Sequence, residues 1–284
     1  LLPTALPALA FAVFVAVLVA ATAAWIVGPP LWQRWRRARI AATPFPPAWR
    51  RVLRERWPLY ARLPPPLQRQ VQRQVRWLLA EVPIVGCAGL VVTDTMRVLI
   101  AAQAALLWLN RGGRGFPALR EVLVYPGAFV VDRVEPGGAG LAHEGPRVLS
   151  GESWQRGQVV LSWADVAGGA ADAGDGRNVV IHEFAHQLDQ AHGSANGAPW
   201  LGRGAERYAR WSAVLGQAYA ELRERLATGQ ADAVLDPYAA TDPAEFFAVA
   251  SEHFFEQPHA LAAAHPALYA ELVQCYRADP RAWW

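Results

Sequence analysis

Cysteine is scarce in this chain: two residues in 284, Cys87 and Cys275. Neither sits in a metal-like pair. Their isolation argues against a disulfide-stapled scaffold or a cysteine-based zinc site, and fits a domain on the reducing side of a membrane. Charge is also scarce. Charged residues make up 18% of the chain and hydrophobic ones 53%, which is apolar for a purely soluble protein. Residues 1–27 carry no charge at all. That run lacks the preceding basic residues of a secretory signal, so it is expected to be retained as a membrane anchor. No stretch interleaves aromatic and basic residues in the way that base stacking requires, and direct nucleic-acid binding is not expected. Internal repeats are absent as well.

The net charge of +3 has arginine as its main cation, and much of the excess lies just after the apolar run. There "GPPLWQRWRRARI" supplies Arg34, Arg36, Arg37 and Arg39 with Trp32 and Trp35. Basic residues and tryptophans at the end of a span mark its cytoplasmic interface and suit anionic lipid. Residues 1–28 are therefore expected to form a single transmembrane helix. Residues 29–67 read as a basic juxtamembrane and proline-rich connection, with a short helix in "RRVLRERWPLYARL". Residues 68–284 read as the folded domain. The expected location is the inner membrane, single-pass, with the domain in the cytoplasm; the alternative is a wholly cytoplasmic protein.

Within the domain, residues 68–80 place Val71, Val75 and Leu78 at helical spacing. Residues 94–110 are apolar but short and interrupted by Arg97 and Gln103, so a buried helix capped by Asp94 is expected rather than a second span. Strand-like pieces follow at 121–126, 128–134 and 157–163, separated by glycine-rich turns, including "EPGGAG" and "AGGAADAGDG" at 167–176. Helices are then expected over 177–190, 203–227, 243–256 and 266–277. A small sheet followed by packed helices is an α+β arrangement.

The chemistry gathers in "NVVIHEFAHQLDQAHG", residues 178–193. His182 and His186 stand four apart, which puts both imidazoles on one helical face where they can share a Zn2+. Glu183 lies beside the first histidine and suits a general base that activates water. Val179, Val180, Phe184 and Leu188 bury most of the helix and make a rigid platform. Two ligands do not complete a site. His192 follows His186 by six residues, as in metzincins, but Asp189 replaces the glycine that such a turn needs. Asp189 itself better suits a hydrogen-bonding role at the helix end. Downstream, "DPYAATDPAEFFAVASEHFFEQP" offers Glu245 and Glu252, seven apart on one helical face. Glu245 also completes a capping box begun by Asp242. Spacing alone does not choose between the two glutamates.

The stretches "GLVVTDTMRVLIAAQAALLWL", "VLVYPGAFVV", "GESWQRGQVVLSW", "NVVIHEFAHQLD" and "DPYAATDPAEFFAVASEHFF" resemble the glucose-regulated zinc peptidases related to the Mlc anti-repressor protein, over roughly residues 50 to 280. That family is similar in fold to the gluzincin catalytic domain of anthrax lethal factor. The resemblance implies a zincin-like metallopeptidase with His182, His186 and Glu245 as zinc ligands and Glu183 as base. It also matches Tyr238, which can donate to an oxyanion or merely pack its loop. The implied partners are a peptide or protein substrate and a transcription repressor. Residues 157–163 are the expected edge strand for extended substrate. Zinc-dependent peptide hydrolysis is thus the leading expectation. A repressor-binding module with a structural or weakly active zinc site is the alternative, and hydrolysis of a non-peptide amide a third.

Overall fold

The computed structural model describes residues 5–111, 115–136, 142–149, 151–154 and 157–284. Residues 137–140 of the expected turn "EPGGAG" lie outside them. The chain separates into two compact units, Leu1–Pro44 and Phe45–Trp284. The first holds helix α1, Ala5–Ala42. Its segment Leu9–Ile40 is long and apolar enough to cross a membrane, with no residue of the apolar window buried, a test that a signal sequence also passes. Arg36 lies 5.6 Å over the Trp32 ring and Arg39 lies 4.9 Å over Trp35. These pairs, one helical turn apart, shield the arginine stems against indole faces.

The second unit begins with α2 (Pro47–Arg56), α3 (Pro58–Arg62) and α4 (Pro65–Glu81). The expected connection over 29–67 therefore does not run to Gln68; the compact unit starts at Phe45. The prolines that suggested a stiff linker stand at helix starts. There the missing N–H leaves nothing unsatisfied and the fixed φ suits the first turn. Leu53, Trp57, Leu59, Tyr60 and Leu63 are all at most 2% exposed and belong to the core.

Strand β1 (Ile84–Gly86) leads to α5 (Asp94–Leu106). Thr93, not Asp94, caps α5, its hydroxyl accepting from the Met96 N–H at 3.3 Å. Asp94 instead accepts from the Trp49 indole at 3.2 Å. Residues 98–106 of α5 are all buried, as expected of a core helix. Next come β2 (Glu121–Tyr125), β3 (Phe129–Pro136), β4 (Ala142–Leu149), β5 (Gly151–Trp154) and β6 (Gln158–Ser162). The sheet order is β1-β2-β6-β5. The first three run parallel, and β5 closes the edge antiparallel to β6, with Gly151 opposite Leu161 and Trp154 opposite Gln158. β3 and β4 form a separate antiparallel hairpin, paired from Phe129–Leu149 to Pro136–Ala142.

This order corrects the expected edge strand. Residues 157–163 contribute β6, an interior strand, and the edge belongs to β5. Four of the five β6 residues are buried, as a strand covered on both faces requires. Gly157 makes the turn between them at φ +79°, where an added Cβ would stand 2.1 Å from the Ala118 carbonyl oxygen. The glycine-rich stretch at 167–176 is likewise not all turn. Its first part completes α6, Trp163–Ala171, capped by the Ser162 hydroxyl. Helices α7 (Val179–Asp189), α8 (Ala205–Ala227), α9 (Pro243–Glu256), α10 (Pro258–Ala264) and α11 (Pro266–Tyr276) complete the unit. The whole is an α+β, zincin-like domain in which α7 packs among the sheet, α5 and α9. Cys87 and Cys275 are both free thiols.

Because Leu53 is fully buried in this unit, Leu53→Ala is expected to lower unfolding free energy by about 2–5 kcal/mol. Denaturant unfolding checks this. A change below about 0.5 kcal/mol, typical of exposed positions, would return residues 45–67 to the role of a linker.

Candidate metal centre

Helix α7 begins at Asn178, whose side-chain oxygen accepts from the Ile181 N–H at 3.0 Å. Val180, Ile181, Phe184, Ala185 and Leu188 are at most 4% exposed, and Phe184 meets Phe116 edge-on at 4.8 Å between ring centres. That burial leaves the helix little freedom to rotate, so its polar face is fixed. His182 and His186 project there with ring centroids 4.9 Å apart.

The third member comes from α9. Asp242 caps this helix, its Oδ1 accepting from the Ala244 and Glu245 N–H groups at 2.8 and 3.0 Å. Half of the expected capping box is thus present. The Glu245 carboxylate turns to the histidines instead, with Oε2 at 2.9 Å from His182 Nε2 and 3.5 Å from His186 Nε2. The two Nε2 atoms are 3.3 Å apart. One donor atom from each of His182, His186 and Glu245 lies within 4.8 Å of the others.

The donor set can be tested against a metal by counting protons. His182 Nδ1 is 2.8 Å from Glu252 Oε1. A carboxylate only accepts, so Nδ1 must donate. In a neutral ring this leaves Nε2 as a bare lone pair, facing a second carboxylate and a second imidazole nitrogen. Three lone pairs aimed at one point repel unless a cation stands among them. Two ligands at zinc's usual bond length in a tetrahedral shell are about 3.3–3.4 Å apart, which the histidine separation matches. The same demand appears in the titration of His182. Burial opposes its protonation, but the hydrogen bonds to Glu245 and Glu252 prevail and hold its pKa well above the usual histidine range. Glu245 moves the opposite way: burial raises its pKa, the two histidines more than offset that, and the carboxyl stays ionised. The residues fit a divalent metal such as zinc.

Glu252, the alternative third ligand, binds the far nitrogen of His182 and is not among the converging atoms. Its geometry is that of a carboxylate orienting a ligating histidine. His192 closes a 310 turn, Gln190–His192; its side chain lies outside those described. Asp189 takes the helix-end role expected of it. Its Oδ2 accepts from the Asn196 and Gly197 N–H groups at 2.8 and 2.7 Å, and its Oδ1 from Ala198 at 2.9 Å. Glu183 is buried and acts electrostatically on His182. Tyr238 is 45% exposed, with its ring centre 6.1 Å from that of His182.

Sequence reasoning missed the support beneath these residues. Asn178 donates its backbone N–H to Glu252 Oε2. Its side-chain amide donates to Gln103 Oε1 and Glu256 Oε1, both at 2.8 Å, and to the Gly169 carbonyl at 3.3 Å. One residue thus ties α5, α6, α7 and α9 together. Burial pushes the Glu256 carboxyl up to about 9, aided by the neighbouring Glu252 charge and only partly opposed by Asn178. The signal was present in part: Glu252 and Glu256 are four apart in a mostly apolar helix, where buried carboxylates need partners.

The family described as glucose-regulated metallo-peptidase M90 matches residues 32–277. An uncharacterized protein of Synechocystis sp., slr2042, is 40% identical over 258 residues, covering 90% of this chain and 93% of that protein. Mlc titration factor A of Serratia proteamaculans is 41% identical over 209 residues, covering 72% of this chain and 78% of its own. The Yersinia enterocolitica protein of the same name is 37% identical over 238 residues, covering 82% and 86% respectively.

Folding lifts the Glu256 pKa from 4.5 to about 9, so between those values the native state holds a proton that the unfolded chain has released. Stability must then fall as pH rises through that window, by at most about 1.4 kcal/mol per pH unit. Glu256→Gln cannot titrate and is expected to flatten this slope. Denaturant midpoints at about pH 6 and about pH 8.5 check it. Equal slopes for variant and wild type would place the buried proton elsewhere.

Proposed function

This chain belongs to the glucose-regulated metallopeptidase family M90, and on that premise we propose that it is a zinc-dependent peptidase whose metal is held by His182, His186 and Glu245. The observation that carries the reading is the convergence of these three donor atoms, with His182 locked from behind by Glu252. Zinc bound there supplies a Lewis acid that polarises a carbonyl and eases deprotonation of water.

The chain's own residues account for the rest of the chemistry. Glu183, buried on the turn that carries His182, accepts a proton from the attacking water. The water oxygen bonds to the scissile carbonyl carbon. Glu183 then gives its proton to the amide nitrogen as the carbon–nitrogen bond breaks, so acid, amine and enzyme emerge balanced. Tyr238, exposed beside the His182 ring, is the residue to which this reading gives the hydrogen bond to the oxyanion. Glu252 keeps the His182 tautomer fixed by accepting from Nδ1. Among the described residues β5 is the edge of its sheet, and an extended peptide can add there as a further strand.

The apolar helix α1 supports a single-pass anchor in the inner membrane. Arg34, Arg36, Arg37 and Arg39 follow its apolar run and favour a cytoplasmic catalytic unit. A second reading rests on the name of two relatives, Mlc titration factor A. In that reading the chain captures a transcription repressor, and the metal serves mainly to hold the fold.

Glu183→Gln is expected to keep its zinc, measured by elemental analysis, while peptide hydrolysis falls by at least about a hundredfold. Full peptidase activity in that variant would end the mechanism. A zinc-loaded wild type that cleaves no peptide yet binds a repressor would favour the second reading. Glu252→Gln is expected to weaken zinc binding by about 10–100-fold, read by competition with a chelator; unchanged affinity would remove Glu252 from the orienting role.

A further inference from the structure

Tyr238 stands in a 310 turn, Pro237–Ala240, between α8 and α9. Pro237 fixes φ at the first position of the turn, and Ala239 is fully buried. The Tyr219 hydroxyl of α8 donates to the Ala240 carbonyl at 3.2 Å, and the Thr241 hydroxyl donates to the Tyr238 carbonyl at 2.7 Å. The loop that leads into the turn is fixed by Asp232, whose side chain is 1% exposed. Its Oδ1 accepts from the Val234 and Leu235 N–H groups at 2.9 and 3.0 Å and lies 3.0 Å from His265 Nε2. These bonds hold the turn to α8, to its own loop and to the start of α11. None of them refers it to α7, on which both histidines of the metal cluster stand.

Asp236 supplies that reference. It caps the turn, and its two carboxylate oxygens divide between two partners. Oδ1 accepts from the Tyr238 N–H at 2.9 Å, and Oδ2 accepts from the Arg177 guanidinium at 3.0 Å. Arg177 immediately precedes Asn178, the cap of α7, and its own N–H donates to Asp175 Oδ1 at 2.8 Å. One carboxylate thus bonds both the backbone of Tyr238 and the residue that leads into the metal helix. Stability does not explain the ion pair. The Arg177 side chain is 77% exposed and that of Asp236 36%, and pairs so open to solvent contribute little to folding. Position does explain it. The Tyr238 ring lies 6.1 Å from the His182 ring between centres, and a donor to an oxyanion is useful only when its place relative to the reacting carbonyl is closely set.

We propose that Asp236, anchored by Arg177, is a positioning residue that holds Tyr238 where its hydroxyl meets the oxyanion formed on the scissile carbonyl. The proposal rests on the peptidase reading above and on the part that reading gives to Tyr238. Asp236 and Arg177 act through Tyr238 and touch no reacting atom. The oxyanion exists only as the carbonyl carbon becomes tetrahedral, so misplacing its donor lowers kcat and leaves KM.

The test uses the zinc-loaded full chain in lipid nanodiscs. Asp236→Ala removes both bonds. Asp236→Asn keeps a capping oxygen but loses the charge that faces Arg177, and Arg177→Ala removes the anchor alone. Zinc content and melting temperature should stay near wild type in the last two. On a peptide substrate, kcat should fall at least about tenfold in Asp236→Ala and about threefold in the other two, with KM within about twofold of wild type. In a Tyr238→Phe background the same substitutions should change kcat by less than about twofold, since their route to the reaction is already gone. Equal losses in both backgrounds, losses in KM instead of kcat, unchanged kcat, or full activity of Tyr238→Phe itself would each overturn the positioning role while the peptidase reading stands.

A second readout needs no turnover. In the chain labelled with 3-fluorotyrosine, the 19F resonance of Tyr238 is identified by its absence from Tyr238→Phe. Asp236→Ala and Arg177→Ala should move it toward its position in the urea-unfolded chain. A wild type that cleaves no peptide overturns the peptidase reading, and the resonance then decides the placement: a shift upholds Asp236 as the residue that sets Tyr238, and an unmoved signal overturns that as well.

Discussion

Asn178 is the residue on which the arrangement of this domain turns. Its carboxamide oxygen starts α7, its amide nitrogen reaches α5, α6 and α9, and its backbone N–H holds Glu252. The asparagine is 1% exposed, so each of these bonds replaces one that water would have made. Leaving any of them unmade would cost about 1–3 kcal/mol in such a place. The network therefore admits one rotation of α7 and one depth of α9. Those two settings are what bring His182, His186 and Glu245 to a common point.

Polar groups at the centre of an apolar core make the site directional. Glu252 accepts from both Asn178 and His182, while Glu256, one turn further along α9, is kept neutral by burial. The result is an asymmetric pair, in which Glu252 bridges the asparagine and the histidine and Glu256 meets the asparagine amide. Around them Val180, Phe184, Phe247 and Phe255 are almost completely buried, and close packing of this kind converts a small change in side-chain position into a visible energetic cost.

Much of the secondary structure was legible because its signals are local. The helices expected over 177–190, 203–227, 243–256 and 266–277 appear as α7, α8, α9 and α11, each within a few residues. Hydrophobic spacing and capping residues carry that information within one or two turns. Proline misled where it clustered. Pro47 and Pro65 fell in stretches that read as a stiff linker, but each opens a helix whose apolar face enters the core. Proline looks the same to a linker and to a first helical turn, and only the partner surface of Leu53 and Trp57 separates the two. The edge strand failed for a related reason. The apolar run of β6 suggested a strand correctly, yet strand order depends on which segments pair, and β5 has no such run to announce it.

By itself the sequence determined that two histidines share one helical face with a glutamate between them, since a spacing of four residues is a property of the helix and not of its surroundings. It also determined an apolar run long enough to cross a membrane, followed by arginines and tryptophans. It left open which of Glu245 and Glu252 meets the histidines, because seven residues on one helix put both on the same face. Only the tertiary structure decided that. α9 crosses α7 so that Glu245 reaches the Nε2 side of His182 and Glu252 the Nδ1 side. An imidazole has two nitrogens on opposite edges, and which carboxylate meets which edge depends on the relative placement of two helices more than fifty residues apart in the chain.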